Sequence, residues 1–155
     1  MQADAGASIL QIFDTWAGVL GRTSYERHVA PRLSRLLEQL RDLHRPTIYF
    51  STGSSHLLDS IARLGATAIG VDWREPLGSV RDRIGPGLPL QGNLDPGALL
   101  ATRDRLETEA ARVLAEIPDG GSHVFNLGHG VLPETDPERV GQLVDFVHSA
   151  GEARR

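Results

Sequence analysis

Residues 125–133 read Phe-Asn-Leu-Gly-His-Gly-Val-Leu-Pro, from Phe125 to Pro133. A short apolar run at Val124 and Phe125 ends in Asn126, Gly128-His129-Gly130 follows, and Asp136-Pro137 opens an amphipathic stretch. That order spells a strand, a tight glycine-flanked turn and a helix start. In parallel α/β proteins such turns lie at the carboxyl ends of strands, where ligands bind. The turn presents one imidazole, that of His129. The glycines on either side permit positive φ or close approach to a ligand. The competing reading is a plain βα loop with an incidental surface histidine.

The same unit recurs upstream. Ser8–Phe13 is an apolar run of strand length ending in Asp14-Thr15-Trp16, and Thr23 with Glu26 is spaced as a capping box. The helix after it places Val29, Leu33, Leu36, Leu37, Leu40 and Leu43 on one face, with a restart or kink at Pro31. Thr47–Phe50 is a second strand, followed by the hydroxyl-rich loop Ser51–Ser55 and a helix from His56 to Leu64 that stops at Gly65. Ala68–Val71 is a third strand ending in Asp72-Trp73, with a short helix over Pro76–Ile84. Leu88–Leu90 is a fourth strand, ending in Gln91-Gly-Asn-Leu-Asp95. Asp95-Pro96 is a helix cap before the stripe Leu106, Ala110, Val113, Leu114 and Ile117. Pro118–Gly121 is a turn, Val124–Leu127 the fifth strand, and Val140, Leu143, Val144 and Val147 face the core of a last helix. The segment after Gly151 reads as a polar, frayed tail.

Five consecutive βα units with short, continuously apolar strands describe a parallel sheet with right-handed crossovers. Two architectures fit the pattern: a doubly wound five-stranded sheet, or five units of an eight-stranded (β/α)8 barrel. Length favours the first, since a whole barrel takes about 200 residues or more.

Composition narrows the chemistry. The 155 residues are 40% hydrophobic and 23% charged with a net charge of −4, so no nucleic-acid surface is expected. No apolar run approaches the roughly 18 residues of a membrane span. Residues 1–6 have no basic region of the kind that opens a secretory signal. The absence of Cys excludes disulfides, thiolate zinc sites and Cys nucleophiles. All 16 basic residues are Arg, so a Schiff-base mechanism on a Lys of this chain is excluded as well.

Every strand ends in polar residues: Asp14-Thr15, Ser51-Thr52, Asp72, Gln91 with Asn93, and Asn126. Thr15, Ser54, Ser55, Asp95 and Asp136 also suit helix caps. Asp72 is harder to assign to capping, because it directly follows an apolar strand beside Trp73, a stacking or lip group. The histidines are not spaced as metal ligands, and there is neither a Gly-x-Ser-x-Gly elbow nor a dinucleotide or P-loop fingerprint.

Four segments together resemble the uroporphyrinogen decarboxylase family: Leu10-Gln-Ile-Phe-Asp-Thr-Trp-Ala-Gly18, Ile69-Gly-Val-Asp-Trp73, Leu90-Gln-Gly-Asn-Leu-Asp-Pro96, and Asn126-Leu-Gly-His-Gly130 followed by Pro133. They stand in the family's order and spacing from about residue 3 to about residue 150. The resemblance is to the family's C-terminal half, over 1–155 as one domain. It implies a partial (β/α)8 barrel and a homodimeric cytoplasmic enzyme. The implied reaction is cofactor-free decarboxylation of the four acetate side chains of uroporphyrinogen, with the pyrrole as electron sink. It further implies that Thr15 and His129 line the substrate cleft, that Phe13 is an apolar cleft residue and that His129 takes part in catalysis; Asp72 joins them as a substrate-binding candidate from its strand-end position.

The family's N-terminal half has no counterpart in this sequence. With it go the arginines that grip substrate carboxylates, the aspartate that binds pyrrole nitrogens and a cleft tyrosine. Residues 2–6 read as the end of a helix. The expectation is a fragment inactive by itself, self-associating or pairing with the missing half-barrel. Two other readings stand beside it. One is a non-catalytic tetrapyrrole- or partner-binding remnant. The other is a related barrel methyltransferase, which the missing zinc-binding cysteines disfavour.

Overall fold

Five short strands lie side by side in the order of the sequence. The computed structural model of the chain describes residues 1–118 and 121–153. The strands are β1 (Leu10–Phe13), β2 (Thr47–Phe50), β3 (Ala68–Gly70), β4 (Leu90–Leu94) and β5 (His123–Leu127), all parallel, in the order β1-β2-β3-β4-β5. The helices are α1 (Arg22–His28), α2 (Ala30–Arg41), α3 (Leu58–Ile61), α4 (Leu77–Ile84), α5 (Arg103–Ala115) and α6 (Pro137–Ala153). Sequential order removes the doubly wound alternative, whose strand order reverses at a switch point.

The sheet is curled. Side chains in register across a parallel sheet share a face, so Phe13, Phe50, Gly70, Gln91 and Val124 form one row across all five strands. Strands three positions apart in a flat sheet are separated by about 14 Å. Here Gln91 of β4 donates a hydrogen bond to Gln11 of β1 at 3.2 Å across that face. The opposite row, with Tyr49, Ile69 and Leu90, packs on the helices together with Tyr25, Leu37, Leu57, Leu77, Val80, Leu106, Ala110 and Val113. The molecule is an open arc of a (β/α) barrel, with its core between sheet and helices. The middle strands β2, β3 and β4 are buried throughout, whereas the edge strands β1 and β5 are half-exposed.

Several elements depart from the sequence reading. β4 begins at Leu90, where the apolar run was expected to end, because Gln91 and Asn93 are strand residues with partners inside the fold. Thr23 is not a cap: α1 starts at Arg22 behind Gly21, and Glu26 instead accepts a hydrogen bond from the Ser60 hydroxyl at 2.5 Å. Leu36, Leu43 and Val144 are exposed, since only part of each apolar stripe meets the sheet. Pro31 falls in the first turn of α2, so the helix restarts there. Asp95 accepts from the Gly97 N–H at 2.8 Å and caps a 3-10 turn over Pro96–Leu100, ahead of α5. Asp136 accepts from the Glu138 N–H at 2.9 Å. In the expected turn at 118–121, Asp119 and Gly120 lie outside the described residues. So do the last two residues, but Gly151 still belongs to α6.

Candidate functional site

The loops at the carboxyl ends of the strands are fastened to one another in sequence. Thr52 Oγ1 donates to the Thr15 carbonyl at 2.6 Å. Gly18 lies so close to the next loop that a Cβ would stand 2.7 Å from the Gly53 carbonyl carbon. The Gly53 N–H donates to Asp72, and Asn93 Nδ2 donates to the Asp72 and Glu75 carbonyls at 2.9 and 2.6 Å. Gly128 donates its N–H to the Leu94 carbonyl at 2.7 Å, and a Cβ there would stand 2.9 Å from Trp73 Cβ. Neither Gly128 nor Gly130 has positive φ. Close approach to Trp73, rather than φ, requires the glycine at 128.

On the concave face these loops border a cleft of about 380 Å³, within the range of small-molecule sites. Gln11, Phe13, Thr15, Phe50, Asn126 and His129 line it. Phe13 is 69% exposed at its mouth, and its ring meets Phe50 edge-on at 6.0 Å between centroids. His129 is exposed. Its imidazole stands edge-to-face between Phe50 (6.5 Å) and Trp73 (6.0 Å). The structure therefore brings Thr15, Phe13 and His129 together.

Asp72 is placed differently. It does not line the cleft and is only 4% exposed. Its Oδ1 accepts from the Arg74 N–H at 2.9 Å, and its Oδ2 accepts from Arg74 Nη1 at 2.9 Å and from the Gly53 N–H. With both oxygens occupied, it holds two loops in place instead of presenting a carboxylate to a ligand. Asp14 also turns away from the cleft and accepts from the Tyr49 hydroxyl at 2.9 Å, which in turn receives the Tyr25 hydroxyl at 3.2 Å. Burial is the main cause that pushes both tyrosines above their ordinary pKa. No three His, Asp or Glu side chains among the described residues converge as metal ligands would.

Sequence reasoning missed Gln11 in the lining. The signal was present: in a strand, residues two apart share a face, so Gln11 accompanies Phe13. The register then carries Phe50 to the same row.

Comparison with known proteins accounts for this arrangement. Over 147 residues the chain is 46% identical to uroporphyrinogen decarboxylase of Syntrophotalea carbinolica, covering 95% of this chain and 43% of the relative. It is 45% identical over 149 residues to the enzyme of Streptomyces coelicolor, covering 96% and 42%. The chain thus spans well under half the length of these curated relatives. Among solved structures, a methyltransferase from Methanosarcina mazei superposes with a TM-score of 0.82 at 23% identity, covering 95% of this chain and 43% of that one, which is a likeness of fold. The family model described as uroporphyrinogen decarboxylase (URO-D) matches residues 1–150, and the chain belongs to that family.

Proposed function

We propose that this chain forms one wall of the substrate cleft of a uroporphyrinogen decarboxylase, which converts uroporphyrinogen III to coproporphyrinogen III when the remaining barrel strands are in place. The observation that carries this reading is the convergence of Thr15, Phe13 and His129, from two separate sequence motifs, on one concave cleft in a chain of this family. In each decarboxylation a pyrrole ring carbon is protonated and the C–C bond to the acetate carboxyl group breaks. Carbon dioxide leaves, the exocyclic carbon takes up a proton to become methyl, and the ring carbon returns its proton. His129 donates a hydrogen bond or a proton at this site, Thr15 offers its hydroxyl to a substrate carboxylate, and Phe13 with Phe50 supplies an apolar wall against the pyrrole. Asp72 contributes behind the cleft by holding the loops that shape it.

The tetrapyrrole carries many carboxylates, and the family's gripping arginines have no counterpart in this sequence. Turnover therefore requires the rest of the barrel. A cytoplasmic, homodimeric enzyme belongs to the same proposal; no helix among the described residues is long and apolar enough to cross a membrane. The test joins the chain to the part of a curated relative that it does not match and follows coproporphyrinogen by chromatography. His129→Gln is expected to lower kcat/KM by about 10²–10⁴-fold, the contribution of a positioned acid–base group. An unchanged kcat/KM in that variant would remove His129 from the mechanism.

A further inference from the structure

His129 is held in an unusual way for a residue with its proposed role. Among the described residues no hydrogen bond fixes its imidazole, so both ring nitrogens are left for a ligand. Its orientation comes from two aromatic rings, Phe50 on one side and Trp73 on the other, the latter at an interplanar angle of 85°. Phe50 is anchored in β2 and 7% exposed. Trp73 has a different support.

Trp73 lies in the loop after β3, which ends at Gly70, and so has no strand backbone to anchor it.

That support is Arg74. Its guanidinium carbon lies 4.0 Å from the centroid of the Trp73 ring, a cation–π contact. Its Nη1 and its backbone N–H both donate to Asp72 at 2.9 Å. Asp72 is in turn buried and tied to the Gly53 N–H. The guanidinium is thus folded back and held by a fixed carboxylate, with its carbon over the indole that borders His129. The backbone on the far side of Trp73 is closed off by Gly128, next to His129 itself.

We propose that Arg74 is a positioning residue: pinned by Asp72, it fixes the Trp73 indole and through it the orientation of the His129 imidazole. This deepens the reading of His129 as a substrate-facing group. The test needs no substrate, so its result stands apart from whether that reading holds.

The experiment is NMR of the 155-residue chain, with the His129 ring resonances assigned by His129→Gln. Ring currents from Phe50 and Trp73 displace those resonances from free-histidine values. Arg74→Ala is expected to return them most of the way toward free values and to shift the Trp73 indole signals, while the Tyr25 and Tyr49 signals of the core stay in place. Arg74→Lys keeps the charge beside Asp72 without the guanidinium over the indole and is expected to restore only part of the displacement. Trp73→Leu leaves the Asp72–Arg74 pair intact and deletes the indole's own ring current, so it gives the reference shift for a His129 ring without that neighbour. His129 signals unmoved in Arg74→Ala would overturn the proposal. So would movement of the Tyr25 and Tyr49 signals to the same extent as His129, which would mark general destabilisation.

Discussion

Gly128 carries no side chain because Trp73 occupies the space that one would need. A Cβ at 128 would lie 2.9 Å from Trp73 Cβ and against its backbone nitrogen, whereas a Cβ at Gly130 would meet nothing within 4 Å. The two glycines flank the same histidine and look equivalent in sequence, but only one is sterically required. Gly128→Ala is expected to cost about 1–3 kcal/mol, the usual range for forcing atoms into a packed site. Gly130→Ala is expected to change stability by less than about 0.5 kcal/mol, as surface substitutions do. Urea unfolding of the two variants checks this, and equal losses would show that the approach to Trp73 does not matter. The same scale sets Asp72 apart from the cleft residues. A carboxylate at a strand end signals either a ligand contact or a loop clamp, and only the partners Gly53 and Arg74 distinguish them.

At the scale of elements, β1, β2 and α1 are joined by buried hydroxyls. Tyr25 of α1 donates to Tyr49 of β2, which donates to Asp14 just after β1. Both tyrosines are fully buried, and their folded-state pKa values lie above the unfolded value, chiefly through desolvation. A raised folded pKa contributes stability that is whole below the unfolded pKa and is lost as pH rises through the folded one. The chain is therefore expected to lose stability progressively above about pH 10, the ordinary tyrosine value. Tyr49→Phe is expected to cost about 1 kcal/mol at neutral pH, the net worth of a hydrogen bond, and to make the alkaline decline shallower. Thermal unfolding from pH 7 to 11 measures both, and an unaltered alkaline slope in the variant would contradict the assignment. The strands β1, β2, β3 and β5 were legible as apolar runs to within a residue or two. β4 was not, because Gln91 serves a contact across the curled sheet and Asn93 one to the loop after β3, and no local pattern encodes either. Helix faces were only partly legible: the sequence marks which residues are apolar, but the sheet covers only part of each stripe, leaving Leu36, Leu43 and Val144 outside.

At the scale of the molecule, the arc has two open edges and an uncovered concave face. β1 and β5 pair on one side only. Ile9, Phe13, Val124 and Val131 are each about half-exposed or more, and Phe125, Leu127, Val140, Leu143 and Val147 line a groove of about 240 Å³ between β5 and α6. Unpaired edges and apolar surface favour association, and each 100 Å² of apolar surface left in water costs about 2.5 kcal/mol. The central claim is that this surface awaits the rest of a decarboxylase barrel. The most direct test is size-exclusion chromatography with a coproporphyrinogen assay on the same samples, for the chain by itself and for the chain mixed with the unmatched part of a curated relative. The account predicts self-association and no product for the chain by itself, and a mixed complex that forms product. A monodisperse monomer that decarboxylates uroporphyrinogen III unaided would contradict it.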